Sequence, residues 1–127
     1  MDRVQIELLG RKHHVTAPDF AACEDLLVNW SSCSTRGGIP LMRVAAACIG
    51  LCTRLGREAG AKYDATTQYD LMGFGGVVYG HLRKERVSVA DIMAAASAVL
   101  PVVTAAAAPR ESEVQDALGN SEAGAES

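Results

Sequence analysis

The chain has 127 residues, 12 Lys and Arg against 15 Asp and Glu, and a net charge of −3. That length holds one domain of ordinary size, and that balance argues against a surface built to neutralise phosphates. Apolar residues make up 49% and aromatics only 5%. With 21 alanines, the core has to be aliphatic and helical rather than rich in the aromatic residues that strands favour.

Residues Val4 to Val15 predict a β-hairpin, because Val4, Ile6 and Leu8 alternate with Gln5 and Glu7. Gly10-Arg11 as a type II′ turn would pair Leu8 with His13, Glu7 with His14 and Ile6 with Val15. A first helix follows. Thr16 is its expected cap, Pro18 and Asp19 suit its first turn, and Phe20, Cys23, Leu27 and Trp30 form its stripe. Ser31 to Gly38 reads as a loop.

The spacing predicts a second helix from about Pro40 to Gly60. Leu41, Val44, Ala45, Cys48, Cys52 and Leu55 share one side, and Arg43, Arg54 and Arg57 share the other. A third helix is expected over Tyr69–Arg86. Its apolar stripe is Leu71, Phe74, Val78 and Leu82, with Gly73, Gly76 and Gly80 together on the other side. Either that glycine side admits a neighbouring helix, or the segment breaks near Gly75-Gly76; the sequence leaves both open. Ser88 with Asp91 three residues on opens a fourth helix, whose buried side is expected to be Val89, Ile92, Met93, Ala96, Val99, Leu100 and Val103, with Pro101 on the outside.

From Pro109 to Ser127 one Arg stands against five acids, a net of −4, which leaves +1 for residues 1–108. The expected organisation is a single domain over 1–108 and an acidic tail over 109–127. Val114 and Leu118 are the only strong apolar anchors in that tail, so most of it is expected to be disordered. The fold class is mainly α: an N-terminal hairpin, a bundle of about four helices and the tail. Charges at Asp2, Arg3 and Glu7 interrupt any signal-peptide pattern, and Asp91 and Pro101 interrupt the longest apolar segment. The expectation is a cytoplasmic protein with reduced cysteines and no membrane partner.

Chemical motifs are missing. Cys23, Cys33, Cys48 and Cys52 lack the knuckle spacing of structural zinc sites, and His13 and His14 point to opposite faces of a strand. No pattern ties His81 to a nucleophile, and Val78 occupies the last glycine position of a dinucleotide-binding loop. The expectation is therefore no catalysis, no metal, no cofactor and no small-molecule substrate. Arg83, Lys84 and Arg86 at a helix end complement its dipole, so they argue only weakly for nucleic acid. The residues expected to meet a partner are Gly73, Gly76 and Gly80, with Arg43, Arg54 and Arg57.

Three strings, Ala45–Cys52 (AAACIGLC), Tyr69–Tyr79 (YDLMGFGGVVY) and Val87–Ala96 (VSVADIMAAA), together with the order of hairpin, helices and acidic tail, carry a resemblance. Over most of residues 1–118 the chain resembles the small tail assembly chaperones encoded in the tail modules of long-tailed bacteriophages and prophages. The resemblance implies a protein that coats the helical tape measure protein and keeps it soluble while tail tube subunits polymerise around it. It implies no catalytic residues, and it leaves a homo-oligomer open. The competing expectation is a small bacterial helical adaptor or DNA-binding regulator.

Overall fold

A computed structural model describes residues 4–63 and 70–108. The expected acidic tail, with Val114 and Leu118, lies outside the described residues, as does most of the stretch between the second and third expected helices. Within them the protein is mainly helical. Strands β1 (Gln5–Leu8) and β2 (Arg11–His14) precede helices α1 (Phe20–Ser34), α2 (Gly38–Cys52), α3 (Leu55–Glu58), α4 (Asp70–Lys84) and α5 (Val89–Ala107).

The hairpin is present, but its turn is Leu9-Gly10 rather than Gly10-Arg11. Both residues have positive φ, 59° and 71°, as a type I′ turn requires. The register becomes Leu8 opposite Arg11, Glu7 opposite Lys12, Ile6 opposite His13 and Gln5 opposite His14. A shift of two residues keeps every side chain on its own face, so alternation alone cannot choose between the two pairings. Leu9 tolerates the left-handed backbone because its side chain packs against the core. His13 turns inward and Nε2 donates to the Leu8 carbonyl at 3.0 Å, while His14 stays exposed. The Val15 amide donates to Val4, and the Thr16 amide donates to the last carbonyl of α2, Cys52, at 2.8 Å.

The cap of α1 is Asp19 rather than Thr16: the helix begins at Phe20, and the Asp19 carboxylate accepts the Ala22 amide at 2.9 Å. The helix runs one turn beyond Trp30, through the first half of the expected loop, and buries Ala22, Cys23, Leu26 and Cys33. Leu27 and Trp30 are half-buried, and Phe20 is 55% exposed, so the inner stripe is rotated by one residue from the expected one.

The long second helix is broken. At Thr53 the backbone becomes extended, with φ −133° and ψ 179°. The Thr53 hydroxyl donates to the Ile49 carbonyl at 2.7 Å and accepts the Leu55 amide at 3.2 Å, closing one helix and opening the next. The apolar positions stay in phase across the break, which is why periodicity reads straight through it. Among the described residues five helices therefore stand where about four were expected. α2 is central, packing against α1, α4 and α5. Nine of its fifteen residues are buried, so it lacks the broad polar side that the arginine spacing suggested.

α4 is one continuous helix, with Leu71, Phe74, Val78 and Leu82 buried as its spacing predicts. It ends on Arg86 at φ 63°, where the Val87 amide reaches back to the Leu82 carbonyl. Ser88 caps α5 through the Asp91 amide at 3.1 Å. Ile92, Ala95, Ala96, Val99 and Val103 face the core, whereas Val89 is 54% exposed and Pro101 projects outward.

Candidate partner-binding surface

Glycines divide α4 into two sides. On the inner side sits Gly75, where an added Cβ would lie 2.0 Å from the Arg43 carbonyl oxygen and 3.2 Å from the Ala47 Cβ. Gly50 of α2 answers it, since a Cβ there would come within 2.8 Å of Val78 and 2.9 Å of Phe74. Gly56 of α3 completes the seam: its Cβ would meet the Gly50 carbonyl oxygen and the Phe74 ring, each at 2.6 Å. Backbone approaches backbone here because three side chains are missing. Sequence reasoning singled out none of the three as a close contact, and read Gly75 only as part of a possible break. Gly75 was detectable, because it falls on the same helical side as Leu71, Val78 and Leu82.

On the outer side, Gly73 and Gly80 are exposed and an added Cβ would meet no heavy atom within 4 Å at either. Val77 lies between them on the same side and is 47% exposed. Gly76, half-buried, borders this surface: its Cβ would sit 3.6 Å from Nε of Arg43. The fold thus brings Arg43 and Gly76 together. It does not bring Arg54 and Arg57 onto a helix side shared with Arg43, because both follow the break at Thr53. All three arginines are exposed. Further along α4, the Arg83 guanidinium lies over the Tyr79 ring, 5.6 Å from its centre.

A polar contact joins the hairpin to α3. Arg11 donates to both Glu58 carboxylate oxygens, at 2.9 and 2.6 Å. That pairing holds the Glu58 carboxyl below its ordinary range, with smaller contributions in the same direction from His13 and His81, and holds Arg11 above its own. Tyr63 donates to Asp25 of α1 and packs edge-on against Phe74, so the segment after α3 is tied to both α1 and α4.

All four cysteines are free and buried. The Cys52 thiol is pushed upward by its contact with Cys48 and by burial; burial likewise raises Cys23, helped by Cys52 and Asp19. Both shifts make Cys23 and Cys52 less acidic than a free thiol. Among the described residues, no group of three His, Cys, Asp or Glu is placed to hold a metal ion. α5 is long and apolar enough to cross a membrane by length and composition, but one side of it is packed into the core. No family model, curated protein or solved structure matches the chain.

Proposed function

We propose that this protein is a tail assembly chaperone of a long-tailed bacteriophage or prophage. In this reading it works in the host cytoplasm, binds the helical tape measure protein and keeps it soluble until tail tube subunits assemble around it. The resemblance of residues 1–118 motivates the identity of the client. The observation that carries binding of a helix is the outer side of α4. Gly73 and Gly80 each cost a helix ~1 kcal/mol relative to alanine, and among the described residues no contact requires either of them. Bare backbone flanking one exposed valine lets another helix approach closely, with Arg43 at the edge to meet an acidic side chain or a helix C-terminus.

Co-expression with the tape measure protein of the same genome tests this. The expected result is client in the soluble fraction, co-purifying with the chaperone. Client found equally in the insoluble fraction with and without this protein overturns the reading.

A further inference from the structure

The hairpin has two outer edges, and the rest of the protein covers only one of them. The Val15 amide donates to the Val4 carbonyl, so Val4, Ile6 and Leu8 turn their backbone groups toward β2 while Gln5 and Glu7 turn theirs away. On β2 the same alternation sends the backbone of Lys12, His14 and Thr16 outward. There the end of α2 is in place, because the Thr16 amide donates to the Cys52 carbonyl at 2.8 Å. Arg11 fastens the same strand to Glu58 of α3. The β1 edge has no such cover. Among the described residues the amides and carbonyls of Gln5 and Glu7 have no backbone partner, and both residues are exposed.

An unpaired row of amides and carbonyls recognises one conformation, an extended strand that offers the same groups in register. Side chains narrow the choice. Ile6 and Leu8 are buried on the inner side of β1, which packs against α5, and Val4 just before the strand is still 36% exposed. A strand laid beside β1 continues this alternation, so every second side chain joins the apolar inner side. The side chains between them join Gln5 and Glu7 on the outer side. Glu7 forms no ion pair there among the described residues, although Lys12 stands opposite it on β2. A Lys or Arg beside Glu7 on the incoming strand is therefore favoured, and an acid is disfavoured. Proline, a bulge or an inward-pointing charge closes many natural edges to such addition. β1 carries none of these, and its register with β2 is unbroken.

We infer that the outer edge of β1 is a docking site for an extended segment of a partner protein, added as a third strand and alternating aliphatic with basic side chains. The site takes a strand rather than a helix and lies on the hairpin rather than on α4, so it stands or falls apart from the chaperone reading.

The probe is a fluorescent peptide of alternating valine and lysine, about eight residues long, titrated against the full chain and read by anisotropy. Gln5→Pro removes an outward amide and leaves the ladder to β2 intact, since the Gln5 nitrogen faces away from that strand. Glu7→Gln removes the charge alone, and Glu24→Gln removes an exposed charge on α1 as a control. The expected result is saturable binding, weakened at least about tenfold by Gln5→Pro, weakened less by Glu7→Gln and unchanged by Glu24→Gln. All three variants should melt close to wild type, and a valine–glutamate peptide of the same length should not bind. Equal binding of the lysine peptide by Gln5→Pro and wild type overturns the inference and assigns the lysines to the acids of residues 109–127. A wild-type dimer that Gln5→Pro dissociates also overturns it, because the edge then belongs to a second copy. So does equal binding of the valine–glutamate peptide. Should Gln5→Pro fail to fold, amide hydrogen exchange in wild type decides. The peptide is expected to slow exchange at Gln5 and Glu7, and unchanged rates at both overturn the inference.

Discussion

Two sets of glycines in this protein look alike in sequence and have opposite physical roles. Gly50, Gly56 and Gly75 lie where α2, α3 and α4 meet, and each would drive a Cβ to within 3 Å of a neighbouring atom. Gly73 and Gly80, on the other side of the same α4, face open space. The first set is explained by the fold. The second weakens a helix with no return from the described residues, and that is the observation on which the proposed partner contact rests.

The comparison breaks most sharply at Gly75. Gly75→Ala places a methyl group 2.0 Å from the Arg43 carbonyl oxygen, a backbone atom of the central helix that cannot rotate away. The expected loss is at or above the upper end of the ~1–3 kcal/mol typical of overpacking, read as a fall in the urea midpoint or as failure to fold. Gly56→Ala should cost on the order of 2 kcal/mol, since the Gly50 carbonyl oxygen is also backbone but the Phe74 ring has room to tilt. A wild-type midpoint for either variant would remove the close seam between α2, α3 and α4.

On the outer side the sign reverses. Gly73→Ala and Gly80→Ala should each raise stability by ~1 kcal/mol through helix propensity alone. A loss at either position would mean that this side is packed inside the folded protein.

The smallest effect sharpens the comparison at the edge of the seam, where Arg11 fastens the hairpin to the short helix that carries Gly56. Because Arg11 lowers the Glu58 carboxyl, that pair stabilises the fold only while Glu58 is ionised. The contribution is full above the unfolded carboxylate range of about 4.3 and disappears as pH falls through Glu58's lowered folded value. Wild type should therefore exceed Glu58→Gln slightly at neutral pH, with the gap closing in acid and shrinking in high salt. A gap that persists in acid would show that the substituted amide disturbs packing rather than charge.

Much of the fold was legible from spacing. The apolar stripe of α4, the cap of α5 at Ser88 and the inward face of the hairpin all follow from periodicity and capping chemistry. What escaped was information that periodicity does not contain. The turn at Leu9-Gly10 differs from the expected one by an even shift, which leaves every face unchanged. The break at Thr53 preserves the phase of Cys48, Cys52 and Leu55, so only a side-chain hydroxyl marks it. For the same reason Arg54 and Arg57 lie beyond the end of α2, whereas Arg43 lies beside Gly76. The outer glycines were identifiable as a group, but their lack of internal neighbours emerged only with the packing.

The most direct test of the central claim, that the outer side of α4 is kept bare for a helical client, is the Gly80→Leu variant co-expressed with the tape measure protein and followed by both melting temperature and client solubility. The account predicts a variant that melts at or above the wild-type temperature and leaves the tape measure protein in the insoluble fraction. A Gly80→Leu variant that is equally stable and still recovers the tape measure protein as fully as wild type would contradict it.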